Sequence, residues 1–129
     1  MSGAVLDASA VLALIRGEPG GSAVDEIASR SLICAVNLTE VVSYFIGKGF
    51  GAQAVDEILR PLSLTIADAD EELAYRAGHL RAGTRHAGLS LGDRFCLALA
   101  SREGLPAWTA DRQWEKIADS VGVDVVLIR

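Results

Sequence analysis

Cysteine is scarce in this sequence: Cys34 and Cys96 are its only two, they stand far apart, and no CxxC pattern is present. A disulfide framework and a zinc site built on paired thiols are thereby excluded, and reduced thiols point to a cytoplasmic protein. Long hydrophobic runs are lacking too. Hydrophobic residues make up 50% of the chain, yet no stretch approaches the roughly 20 apolar residues that a membrane-spanning helix needs. An apolar segment near the start is interrupted by Asp7 and preceded by no basic region, so it does not read as a secretory signal. Repeats, low-complexity tracts and interdomain linkers are also absent, and 129 residues suit one domain, expected over 1–129.

Positive charge is in deficit, with a formal net charge of -5. That balance excludes a protein that holds nucleic acid by bulk basic charge. It leaves room for an acidic site whose carboxylates are screened by metal ions.

What the chain does have is alternation. Short apolar runs at 4–6, 32–35, 63–66, 107–109 and 124–127 are separated by segments of helical period, the pattern of βα units around a parallel sheet. The fold class expected is therefore α/β with about five parallel strands. Ala10, Val11, Leu14 and Ile15 make one helical stripe, and a second helix is expected over 22–29. A third opens at Asn37 with Leu38, Val41, Val42 and Phe45 inward, and a fourth covers 52–59 before Pro61. From Asp68 a helix carries Leu73, Ala77 and Leu80; a basic connection with Arg81, Arg85 and His86 leads to a long apolar helix over 90–102.

Four acids fall at telling places in this pattern. Asp7 follows the first strand and Asp111 the fourth, at carboxyl ends, where open parallel sheets form their ligand crevice. Glu40 lies at the start of the helix after the second strand, and Asp93 begins the helix that returns to the fourth. Taken singly, each acid fits a helix cap, and Asn37 with Glu40 and Ser90 with Asp93 have capping-box spacing. Capping leaves their shared edge unexplained. Crowded carboxylates repel unless a cation lies between them, and an all-oxygen set suits Mg2+ or Mn2+.

The stretches VLDASAVLAL, NLTEV, SLGDRFCLALA and WTADRQW, in that order, resemble PIN-domain ribonucleases, with VapC-type toxins the nearest likeness. The resemblance implies a PIN-like three-layer α/β/α fold and Mg2+- or Mn2+-dependent endoribonuclease activity. It also implies a homodimer and a cognate antitoxin that blocks the site. Asp7, Glu40, Asp93 and Asp111 match the family's acidic quartet, with Asp7, Asp93 and Asp111 as metal ligands and Glu40 completing the metal site or orienting the attacking water. The matching DxS and TxD motifs place Ser9 and Thr109 beside them, to fix the carboxylates or to pack as helix and strand residues. The reaction expected is in-line attack of water on an RNA phosphodiester, leaving a 5'-phosphate and a 3'-hydroxyl.

Arg81, Arg85, Arg94 and Arg112 lie near the acidic edge in sequence and suit phosphate contacts, with Arg94 and Arg112 favoured; the competing reading puts Arg81 and Arg85 in a solvated loop and the other two on exposed helix faces. His79 and His86 lack a nucleophile partner and read as surface residues, while Trp108 in the fourth strand and Trp114 in the next helix read as packing. The face formed by Leu38, Val41, Val42 and Phe45, and that of Leu12 and Ile15, read as core; left exposed, either becomes an antitoxin or dimer surface. Three rivals remain. A haloacid dehalogenase-like phosphatase needs DxD where this chain has Ser9; a receiver domain needs paired acids and a late lysine that are not recognisable; and a PIN module without activity binds only protein.

Overall fold

The sheet is built outward from its shortest strand. In the computed structural model, which describes residues 3–129, β1 (Val5–Leu6) hydrogen-bonds on one side to β2 (Leu32–Cys34) and on the other to β4 (Ala107–Thr109). β3 (Thr65–Ala67) and β5 (Val125–Leu127) lie outermost, giving the order β3-β2-β1-β4-β5 with every pairing parallel. Residues 1 and 2 of the expected domain lie outside the described residues.

Alternation along each strand sends neighbouring side chains to opposite faces. Val5 and Ala107 enter a core shared with α5 (Glu71–His79) and α7 (Leu91–Glu103), while Leu6 and Ile33 enter another with α1 (Ala8–Arg16), α2 (Gly21–Ile27) and α3 (Ala35–Gly47). The result is three layers, α/β/α. α4 (Ala52–Leu59) packs on α3 and contributes Val55 to the second core. Two short helices complete the set, α6 (Arg81–Thr84) and α8 (Ala118–Val121). Among the described residues no helix is long and apolar enough to cross a membrane.

Several local readings are corrected. α3 begins at Ala35, with Cys34 as its cap, so Asn37 lies within its first turn and does not open it. Its side chain is buried and is spent on another helix, as described below. α5 begins after Asp70, whose carboxylate accepts from the Leu73 backbone N–H, rather than at Asp68. β3 starts two residues late because Ser63 turns into the left-handed region (φ 55°) at the end of the turn Arg60–Leu62. The basic connection is α6 followed by a 3-10 turn, Arg85–Ala87, so Arg81 and Arg85 are not in an irregular loop. Trp114 is fully buried, in a 3-10 turn (Arg112–Lys116) rather than an α-helix.

The α3 stripe divides. Val41 and Phe45 are core, but Leu38 and Val42 are partly exposed and line an apolar cavity of about 500 Å³ with Ile46, Val55, Leu59 and Ile66. Leu12 and Ile15 are partly buried against the same core.

Candidate active site

Asp7 is the best-anchored of the four acids. It leaves β1 at the carboxyl edge and caps α1: Oδ1 accepts from the Ala10 backbone N–H (2.8 Å) and the Ser9 hydroxyl (2.7 Å), and Oδ2 accepts from the Thr109 hydroxyl. Thr109 Oγ1 accepts in turn from the Asp111 N–H (3.0 Å), and Ser9 Oγ from the Ala110 N–H (2.9 Å). Two hydroxyls thus knit the ends of β1 and β4 around one carboxylate.

The remaining acids come from helix starts on the same edge. Asp93 sits in the first turn of α7 and forms a reciprocal capping box with Ser90, its Oδ2 accepting from the Ser90 N–H at 2.9 Å. Asp111 caps the turn after β4, with Oδ1 accepting from the Gln113 N–H at 2.9 Å. Glu40 is no cap. Its Oε1 accepts from Asn37 Nδ2 (2.9 Å), which also donates to the Gly92 carbonyl (3.0 Å), and the carboxylate lies where a Cβ on Gly92 would stand, 2.5 Å from Oε2. The capping role read from sequence for the Asn37–Glu40 pair is therefore a contact between helices.

Burial and charge act on these groups together. Burial pushes the Asp7 carboxyl up to about 6; hydrogen bonds from Thr109, Ala10 and Ser9 oppose the shift, and the charge of Asp93 adds to it. Asp93 is raised as well, first by burial and further by Asp111, against the lowering influence of Ser90 and Arg94. Beneath them Cys96 is fully buried, its thiol held well above the ordinary range by burial and by the charges of Asp7, Asp93 and Glu40. The charge of Asp93 reaches Asp7 and that of Asp111 reaches Asp93, while Glu40 abuts Gly92, the residue before Asp93.

Among the described residues no three His, Cys, Asp or Glu side chains stand close enough together to hold a metal ion. The caps explain the spacing, since Asp93 and Asp111 each hold one oxygen against their own helix or turn backbone. The donor set nevertheless fits a hard divalent cation. It is all oxygen and carries negative charge, and Asn37, whose Nδ2 holds Glu40, has a buried Oδ1 with no protein donor among the described residues.

Other predicted residues are more dispersed. Arg94 is partly buried beside Asp93, with Nη1 3.4 Å from the Ala77 carbonyl. Arg112 is exposed and donates to the Arg129 carbonyl at 2.9 Å, while His79 and His86 are exposed. Two participants escaped sequence reasoning in these roles. Asn37 was legible only as a cap, and Gly92 carried one weak signal, a glycine in the first turn of a helix where alanine is the better former.

Comparison with known proteins follows the same lines. Residues 4–120 match the PIN domain. No curated protein matches the chain. Among solved structures, the fold is similar to a toxin-antitoxin complex from Klebsiella pneumoniae, with TM-score 0.75 and 19% identity over 98% of each chain. It is also similar to VapBC2 from Rickettsia felis bound to a promoter DNA fragment, with TM-score 0.71, 18% identity and 95% and 96% of the two chains covered. DNA-bound VapBC from Salmonella typhimurium aligns over 100% of both chains, with TM-score 0.70 and 20% identity. At such identities the structural likeness speaks for the fold, and it agrees with the sequence match that spans most of the chain: the protein belongs to the PIN domain family.

Proposed function

We propose that the protein is a Mg2+- or Mn2+-dependent endoribonuclease, the toxin of a toxin–antitoxin pair, acting in the cytoplasm. The observation that carries this reading is Asp7, buried at the carboxyl end of β1 with its carboxyl raised to about 6 by burial and by the charge of Asp93; Glu40 and Asp111 would complete the acidic set. A site of this kind is poorly stable on its own and gains from a divalent cation. Asp7, Asp93 and Asp111 would hold the ion, which supplies charge stabilisation for a phosphodiester under attack.

The chain's own groups set the rest. Ser9 and Thr109 orient Asp7 by donating to its two oxygens, and Asn37 holds Glu40 toward the start of α7. Glu40, which shares an oxygen with no helix cap, is the acid best placed to orient water and accept its proton. The phosphatase alternative needs a second acid at position 9; instead Ser9 stands there and donates its hydroxyl to Asp7. The apolar cavity by Leu38 and Val42 would offer surface to an antitoxin of the kind found in the toxin-antitoxin complexes that the fold is similar to.

Purified protein freed of any partner should cleave RNA with Mg2+ or Mn2+ and stop on addition of EDTA. Asp7→Asn and Asp93→Asn should each abolish cleavage. Full activity in both variants, or phosphorylation of Asp7 without RNA cleavage, would overturn the reading.

A further inference from the structure

On either side of Ser90 the chain builds a second charged feature, of opposite sign to the acids. Arg81 and Arg85 stand four apart, so they share one face of α6 and the turn that continues it. With Arg94 from α7 they line a cavity of about 250 Å³, together with Thr84, Gly88 and Leu89. No acid is part of that lining. Arg16, Arg60, Arg76, Arg102 and Arg129 form salt bridges, whereas among the described residues Arg81, Arg85 and Arg94 form none.

Three arginines line one small space whose lining holds no acid, so their positive charges add there. The arrangement suits an anion with several acceptor oxygens, because the planar donor fork of arginine matches phosphate. Its place decides which phosphate. Arg94 follows Asp93 in the chain, and its charge lowers the Asp93 carboxyl. The turn Arg85–Ala87 packs against the turn Arg112–Lys116, which Asp111 caps. The cavity thus borders the acidic site on its Asp93 and Asp111 side.

We infer that Arg81, Arg85 and Arg94 form a subsite for a backbone phosphate of single-stranded RNA, flanking the bond held at the acids. The subsite rests on the nuclease reading above and gives the RNA a path across the edge of the sheet, between the acids and α6. Arg81 and Arg85 are exposed, so they can be changed without opening the core. Arg94 is partly buried and is the less informative position to substitute.

The test separates binding from cleavage. Anisotropy of a fluorescein-labelled single-stranded RNA of mixed sequence, in EDTA, is measured for the wild type, Arg81→Gln/Arg85→Gln and Arg81→Lys/Arg85→Lys. The glutamine pair should lose about tenfold in affinity, as expected for charge-assisted bonds to phosphate, and the lysine pair should recover most of it. The slope of log affinity against log salt should shrink by about 0.7 for the one phosphate released. With Mg2+, the glutamine pair should raise KM on the oligonucleotide at little change in kcat and leave cleavage of a dinucleotide, which lacks the flanking phosphate, as in wild type. Unchanged affinity and salt slope, or an equal loss on the dinucleotide, would overturn the subsite. Arginine-dependent binding by a wild type that cleaves no RNA would instead sink the nuclease reading and leave the subsite standing.

Discussion

Asn37 is latched to Gly92: its Nδ2 donates to the Gly92 carbonyl at 3.0 Å while holding Glu40 at 2.9 Å, so one amide sets where Glu40 lies against α7. A methyl at position 92 would meet the end of the Glu40 side chain and no backbone, since the three nearest atoms are Glu40 Oε2, Oε1 and Cδ. Gly92→Ala should therefore displace Glu40 and leave the helix in place. Alanine is the better helix former by up to about 1 kcal/mol. The expected outcome is an unchanged or higher Tm with RNA cleavage reduced by about tenfold or more; thermal melts and initial rates on one preparation check it. Wild-type rates would show that the position of Glu40 is immaterial.

The Asp7 carboxyl gives metal-free protein a pH dependence of stability. Its folded value is raised to about 6 from 3.8, so the folded state holds the proton more tightly. That stabilisation is complete below 3.8 and is lost as pH rises through about 6, leaving an ionised Asp7 that costs about 3 kcal/mol at neutral pH. Asp93, also raised, acts in the same direction. In EDTA the Tm of the wild type should fall between pH 5 and 7, and Asp7→Asn should flatten most of that fall. Identical slopes for the two proteins would remove Asp7 as the cause.

Divalent cations should reverse the penalty. Bound metal stabilises by an amount set by its concentration over Kd, about 2.7 kcal/mol at a hundredfold excess. Mn2+ or Mg2+ should raise the wild-type Tm more at pH 7 than at pH 5.5, because protons compete for the same oxygens. The rise should shrink sharply in Asp93→Asn, which differential scanning calorimetry would register. A rise of equal size at both pH values would place the ion away from these acids.

Thr109 separates orientation from bulk. Its hydroxyl donates to Asp7 Oδ2 and accepts from the Asp111 N–H. Thr109→Val keeps the shape and strands both partners, at about 1–3 kcal/mol of stability for a buried group left unpaired. It also removes the largest influence that lowers the Asp7 carboxyl. The acid limb of the cleavage pH profile should therefore move upward in Thr109→Val and return in Thr109→Ser. A simple loss of rate with an unmoved profile would make Thr109 a packing residue only.

The legible parts of the fold and site were those fixed by neighbours in sequence. Asp7 and Ser9 lie two apart at a strand end, and Ser90 with Asp93 does form the capping box its spacing suggests. Asn37 with Glu40 has the same spacing, yet the partner that decides its geometry, Gly92, is 55 residues away. Burial of Asn37 depends on how α3 packs on α7, which periodicity does not specify. The stretch Arg81–Ala87 read as a loop because its apolar signal is weak; only Thr84 and Ala87 are buried, enough to seat a short helix and a turn. Leu38 and Val42 fit the apolar stripe of α3 but fall on its groove-facing side, and the stripe alone gives no account of where the core ends.

The order of the strands also bears on how the protein is made. Val5 pairs with Leu32 on one side and with Ala107 on the other, so the central strand acquires its second neighbour only when the fourth strand is available. A growing chain that has already exposed Asp7, Glu40 and Asp93 still lacks Thr109 to orient Asp7 and Asp111 to complete the acidic edge. Contacts over such sequence separations form late. On the function proposed above, a chain cut short of β4 would have neither Thr109 nor Asp111 and should show no cleavage.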